Sequence, residues 1–436
     1  MDQRLADPIA AHAARASQAS RADDDAAGHA PARPLDGIRV LDLTRVVSGP
    51  FATMHLGDLG AEVIKIEEPT RGDDSRAFGP PFVEGESAYF LCVNRNKRSC
   101  AIDLKHEAGR ELLLSLVKSA DVVIENFRPG TMQRLGLDPQ TLRQHNPQLI
   151  YCSISGFGSQ GPDAQRPGYD LIVQGEAGVM DITGEPDGQP TKVGTSIADM
   201  IAGLFAAQGI LSALYERTQT GVARHVEVSM LDALASLLTF NAGIYFATGQ
   251  SPSRRGNEHP TISPYETFEA SDGWLNLGVA NDKFWRLFCD VTGAKALFDD
   301  ERFVTAPLRV QHRQALKPLV TDILRRNTRR HWVDTLGAAG VPCGLIRTVG
   351  EVCEAPQLTQ RGMIVSMQHP VAGEVKNITT PVRLDGEALR PSLAPPLLGQ
   401  HTREILRSVL GLSEDAIDSL SASGTVRDLA THAAQD

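Results

Sequence analysis

Between residues 38 and 154, short apolar runs of strand character alternate with segments of helical periodicity, and this alternation limits the fold more than any other feature. Ile38–Leu43, Glu62–Glu67, Ser99–Leu104, Asp121–Glu125 and Leu149–Ile154 read as strands. Helices are expected at Phe51–Leu59, stopped by Gly60, at His106–Ser119 and around Pro139–Asn146. Strand and helix in turn at this spacing predict a parallel sheet covered by helices, an α/β fold.

After this repeat the pattern changes. Residues 198–217 form a long, very apolar helical stretch, followed by a strand at His225–Val228 and a second apolar helix from Leu231. The texture breaks at Ser251–Pro264, where Ser, Pro, Arg and Gly crowd together. Tyr265–Phe268 and Trp274–Val279 then read as a hairpin about the turn Ser271-Asp272-Gly273. Helical stretches near Asp282–Cys289, Arg309–Arg325 and Arg330–Ala339 complete a smaller α+β domain, and two short helices after Pro395 return to the first. The expected boundaries are a disordered tail over 1–33, a discontinuous large domain over 34–245 and 380–430, and the small domain over 260–375. The tail is rich in Ala, Asp, Arg and Ser without apolar periodicity. It has no apolar signal core, and Asp23–Asp25 do not suit a transit peptide.

Composition excludes some functions. The chain has 436 residues and a formal net charge of −10, the wrong sign for a general nucleic-acid binder. Its six cysteines include no CxxC pair and no zinc-site spacing, so they read as reduced thiols of a cytoplasmic protein and no metal is expected. No apolar run is expected to reach the roughly 20 residues that cross a bilayer, so no membrane partner is expected. GxGxxG after the first strand, GxxxxGK[ST] and GxSxG are all missing, which disfavours dinucleotide-dependent dehydrogenases, P-loop nucleotidases and ordinary α/β serine hydrolases.

Three segments can carry chemistry. Asp199 opens the long apolar helix, where free amides favour a carboxylate anion and offer donors to an oxyanion beside it; a plain helix cap explains the same residue. Glu125 to Gly130 ends a strand, the place where open α/β sheets bind ligands. There Asn126 and Arg128 suit polar or anionic groups and Phe127 suits stacking, although an ordinary strand-to-helix turn reads the same way. The run from Asn94 to Arg98 is a short basic cluster that, with Lys105 and Arg134, suits a phosphorylated ligand; the alternative is a solvated surface face.

Together these segments resemble the family III CoA-transferases, which include formyl-CoA transferase, carnitine CoA-transferase and the α-methylacyl-CoA racemases. The resemblance runs from about Pro34 to about Leu420. It is carried by LDGIRVLDLTRVVSGPFATMHLGDLGAEVIKIE, VNRNKRS, VIENFRPGTMQRLGL, GYDLIVQGEAG, GTSIADMIAG and PLLGQHT. It implies a large doubly wound, Rossmann-like parallel-sheet domain built from both chain ends, a smaller α+β domain between them, and an interlocked homodimer. It also implies that Asp199 is the catalytic nucleophile, with Tyr169 as a supporting group, and that Val47, Ser48, Ile102, Lys105, Asn126, Phe127, Arg128 and Arg134 hold CoA. A CoA thioester is then a substrate, and no tightly bound cofactor is expected.

This chain departs from formyl-CoA transferase at two places. Glu68 stands where that enzyme has an arginine, with Arg71 or Arg76 as candidate substitutes, and the glycine-rich lid is replaced by Arg254 to Pro260. The racemases carry a histidine in a GHD segment where this chain has Gly168-Tyr169-Asp170. Tyrosine, with an unperturbed pKa near ~10, is a poor base at neutral pH. The transferase reading is therefore favoured over the isomerase, and a catalytically idle CoA-binding protein is the third reading. GPPFVEGES, IYCSISGFG and ISPYETF resemble the succinyl-CoA-dependent dicarboxylate branch, of the succinate–hydroxymethylglutarate (glutarate) type. A dicarboxylate needs a cation for its far end, for which Arg254, Arg255 and His259 are the candidates; a solvent-exposed loop accounts for them equally.

Overall fold

The computed structural model describes residues 33–429, so the expected tail lies, apart from Arg33, outside the described residues. The large sheet begins with β1 (Arg39–Asp42), helix α1 (Ser48–Asp58), β2 (Glu62–Glu67) and β3 (Lys97–Ile102). Helix α2 (Glu107–Val117), β4 (Val122–Glu125) and β5 (Ile150–Ser155) follow, then α3 (Asp170–Glu176), α4 (Ile197–Thr220) and β6 (His225–Ser229). Helix α5 (Met230–Ala235), and from the C-terminal end α6 (Thr402–Leu410) and β7 (Val426–Arg427), complete it. The sheet order is β7-β3-β2-β1-β4-β5-β6. Strands β1 to β6 pair in parallel, and β7 closes the β3 edge antiparallel. This is the doubly wound order. Its winding direction reverses between β1 and β4, which opens a crevice at the carboxyl ends of those two strands.

The sequence of β1 shows why the sheet is covered twice. Val40 and Leu41 point to opposite faces and neither has measurable exposure. Val40 packs with Val63, Val122 and Ile150 beneath α1 and α4. Leu41 packs with Ile64, Val123 and Ile405 on the side of α2 and α6. Small residues let α4 lie close to α1: a Cβ on Gly203 would come within 2.5 Å of the Ser48 carbonyl oxygen.

Two helical stretches, Ile197–Thr220 and Met230–Thr248, reach the length and mean hydropathy of a bilayer span. This corrects the expectation that no run comes near that length. In the first, core packing accounts for the apolarity, since Ala198, Ala202, Ala206 and Ile210 are fully buried. The second leaves Leu237, Phe240 and Phe246 exposed.

The predicted hairpin is Tyr265–Ala270 with Gly273–Gly278, joined by Cys343–Leu345. It encloses its own core around Phe268, Leu275, Trp285, Phe288 and Trp332. A further hairpin, Ile364–His369 with Gly373–Ile378, packs Met367 and Val375 on Leu91.

Candidate functional site

The crevice between β1 and β4 holds a cavity of about 280 Å³ whose lining includes Arg45, Ser48, Asn126, Arg128, Tyr169 and Asp199. Asp199 enters as the third residue of α4. Its position is set by α3, because Asp170 Oδ1 accepts the Ala198 N–H at 2.9 Å and Asp170 Oδ2 accepts from Gln174 at 2.7 Å. Gln174 Oε1 in turn accepts the Val193 N–H at 2.8 Å. The α3 start reaches this place because two glycine backbones pass in contact: a Cβ on Gly156 would lie 2.7 Å from the Gly168 Cα.

The electrostatics of Asp199 overturn one expectation. Burial, and then the neighbouring Asp170 charge, push its carboxyl up from 3.8 to about 7. The helix start does not win, because its amides are largely engaged: Ile197 N–H bonds Thr195, Ala198 N–H bonds Asp170 and Met200 N–H bonds Ser196. The Asp199 side chain makes no hydrogen bond among the described residues, so it does not serve as a helix cap. A half-buried, weakly acidic and unpartnered carboxylate is a stronger nucleophile than a solvated one.

The other named residues fall into distinct places. Asn126 Oδ1 accepts the Arg45 N–H and its Nδ2 donates to the Arg45 carbonyl, each at 2.8 Å, with Ser48 Oγ at 3.2 Å. Its amide therefore shapes the β1–α1 loop and is not free for a ligand. Phe127 lies beneath the Arg45 guanidinium, 5.1 Å from the ring centre. Arg128 is exposed at the cavity. Val47 is the residue that precedes α1, and Tyr169 precedes α3, 67% exposed within the lining. Lys105 and Arg134 are exposed after β3 and α2–β4, whereas the Ile102 side chain is buried in the core beside Val426.

Neither reading of the 94–98 run survives. Asn94, Arg95, Asn96 and Lys97 are buried. Arg95 is paired with Asp58 at 2.6 Å and Lys97 with Asp42 at 3.1 Å. Arg76 is committed to Glu67 at 2.8 Å and stacked on Phe90, so it is not a spare cation beside Glu68, while Arg71 is exposed. Arg254, Arg255 and His259 do not line the cavity of this chain. Arg254 approaches Asp181 at 3.3 Å, and the His259 ring lies against Phe240 and Tyr265. The sequence reading missed Arg45 and Arg166, which do line it, and Asp170. Asp170 left one signal, an acidic residue in a helix's first turn after a glycine.

A second cavity of about 460 Å³ adjoins the first through Phe127 and Arg128. In it Glu125 accepts the Phe127 N–H at 2.8 Å and the Tyr151 hydroxyl at 3.2 Å, and burial pushes its carboxyl up to about 7.

The family model described as CoA-transferase family III matches residues 35–402. A succinyl-CoA:glutarate CoA-transferase of Mus musculus is 39% identical over 394 residues, 90% of each chain. A succinate–glutarate CoA-transferase of Agrobacterium fabrum is 42% identical, covering 86% of this chain and 95% of that one. The crystal structure of a CAIB/BAIF family protein from Brucella suis superposes with a TM-score of 0.79 at 42% identity, covering 86% of this chain and 99% of its own.

Proposed function

This chain belongs to CoA-transferase family III, and from that premise we propose that it exchanges CoA between succinyl-CoA and a dicarboxylic acid of the glutarate class, with Asp199 as nucleophile. The observation that carries the reading is the Asp199 carboxylate, unpartnered at the head of α4 and facing a cavity at the sheet's switch point. The names of the relatives supply the substrate class.

The chemistry follows in balanced steps. An Asp199 oxygen attacks the thioester carbonyl, the C–S bond breaks, and CoA leaves as thiolate from a mixed anhydride. The thiolate then attacks the Asp199 carbonyl carbon and expels the donor acid as its carboxylate, leaving an aspartyl-CoA thioester. The acceptor carboxylate attacks that thioester, and the same two steps run backwards to give the new acyl-CoA and free Asp199. Each step exchanges one activated acyl bond for another, so no ATP and no strong base is required. The anhydride survives only where water is excluded.

Among the described residues, the cavity lining contains no histidine or lysine. An isomerase needs a second base opposite Asp199, and Tyr169 is a poor one at neutral pH. For the far carboxylate of the acceptor, the cations of the lining are Arg45, Arg128 and Arg166. Arg166 is engaged by Asp163 and Glu176 and Arg128 is kept for CoA, as the family resemblance implies, whereas Arg45 meets Asp74 at 3.7 Å. We assign the far carboxylate to Arg45. The expected interlocked homodimer is supported by the exposed Leu237, Phe240 and Phe246, an apolar face of the kind that partner subunits cover.

The direct test is isotope exchange. Labelled succinate should enter succinyl-CoA in the presence of the protein alone, and glutarate should compete for the CoA. No exchange with succinate, glutarate or other dicarboxylates would remove the reading.

A further inference from the structure

The loop between β1 and α1 is held by side chains at each backbone group from Thr44 N–H to Val46 N–H. Thr44 N–H donates to Asp42 Oδ1 at 2.9 Å, and the Thr44 carbonyl accepts from Lys65 Nζ at 2.8 Å. Asn126 takes both polar groups of Arg45. Val46 N–H donates to Asp73 Oδ1 at 3.0 Å. Val46 has φ +67°, a left-handed conformation that β-branched residues rarely adopt. It also lines the cavity that contains Asp199.

Lys65 and Asp73 pair at 2.8 Å with no exposed side-chain surface. A buried ion pair is a poor route to stability, since apolar residues of equal volume do as well or better. Here each member uses one contact on its partner and another on the loop. Lys65 bridges Asp73 and the Thr44 carbonyl, while Asp73 bridges Lys65 and the Val46 amide. The two anchor points fix the peptide groups on either side of Arg45, the second of which leads directly into Val46, the one residue of the loop with positive φ.

We infer that Lys65 and Asp73 are positioning residues for CoA transfer, holding Val46 left-handed so that Val46 and Ser48 face Asp199 across the cavity. The inference rests on the transferase reading and deepens it. Neither residue lines the cavity, so both act through the loop.

The test is a Lys65→Met/Asp73→Asn variant of the full chain, which leaves no lone buried charge, measured with and without Val46→Gly. Displacing the loop by about 1 Å should lower kcat/KM for succinyl-CoA by roughly 10- to 100-fold, and the KM for the acceptor acid should rise with it, because Arg45 lies between the two anchored groups. Glycine takes positive φ without restraint, so adding Val46→Gly should restore most of the lost turnover without a matching rise in melting temperature. A merely structural pair predicts no such rescue. Parent-like turnover in the double variant, or no rescue by Val46→Gly, overturns the inference. Where the double variant does not fold, Asp73→Asn alone, with and without Val46→Gly, decides by the same criterion, with a smaller loss expected. A parent protein that transfers no CoA at all removes the transferase reading, which is distinct from transfer without rescue.

Discussion

Asp170 accepts the amide proton of Ala198 at 2.9 Å, which holds a second carboxylate beside the residue that precedes Asp199. The contact fixes the start of α4 and also raises the Asp199 pKa, after burial, to about 7. The attacking species is the anion, so kcat/KM for succinyl-CoA should rise with pH through about 7. Asp170→Asn keeps an oxygen for the Ala198 amide but removes the like charge, so the rising limb should move to lower pH. A limb that stays in place would assign the titration to another group, and Glu125, also near 7, is the first alternative.

The same shift has a consequence for stability. An acid whose folded pKa is raised favours folding while protonated; that contribution is complete below the unfolded value and is lost as pH rises through about 7. At pH 8 the half-buried Asp199 anion therefore costs stability, at most about 4 kcal/mol at 1.36 kcal/mol per pKa unit and less where solvent reaches it. Asp199→Asn should abolish transfer, retain CoA binding and melt higher than the parent at pH 8, with the two converging near pH 4. Calorimetry at both pH values checks the sign, and a lower melting point at pH 8 contradicts the burial argument. In the parent, hydroxylamine or borohydride quenching after incubation with succinyl-CoA should modify Asp199 alone.

The strands were legible because apolar alternation is local. Glu62–Glu67 matches its sequence reading residue for residue, and the others shift by one or two positions. Their order in the sheet depends on pairing between distant segments, and it entered only through family resemblance. β7 has two residues, too few to show a period. The misread 94–98 run has the same origin. Its charges look solvated until Asp58 and Asp42, 37 and 55 residues away, are brought against Arg95 and Lys97. Asp199 could be named from its motif, but its weak acidity depends on desolvation and then on Asp170, both of which arise only when folding assembles the head of α4.

Among the described residues, the cavity lining offers no histidine or lysine opposite Asp199. Incubation of a 2-methylacyl-CoA ester in deuterated water should therefore leave its α-hydrogen unexchanged on the timescale of CoA transfer. Wash-out at a matching rate would show that Tyr169, or a group from another subunit, acts as a base, and would favour the isomerase.

The last prediction concerns acceptor choice. Arg45 stands over Phe127 in the lining, about 40% exposed and no nearer than 3.7 Å to Asp74, its acidic neighbour among the described residues. A guanidinium so lightly engaged is available to the far carboxylate of a dicarboxylic acid. Such a charge-assisted contact is worth about 1.5–3 kcal/mol. Arg45→Gln should therefore raise the KM for glutarate by roughly 10- to 150-fold, at 1.4 kcal/mol per tenfold. A monocarboxylic acid of similar length has no second charge to lose, so its KM should barely move. Arg254, Arg255 and His259 lie outside this cavity within the chain, and their alanine variants should treat the two acids alike. Selectivity lost in those variants and kept in Arg45→Gln would mean that the loop reaches the active site of a second subunit, and that the acceptor pocket is shared between chains.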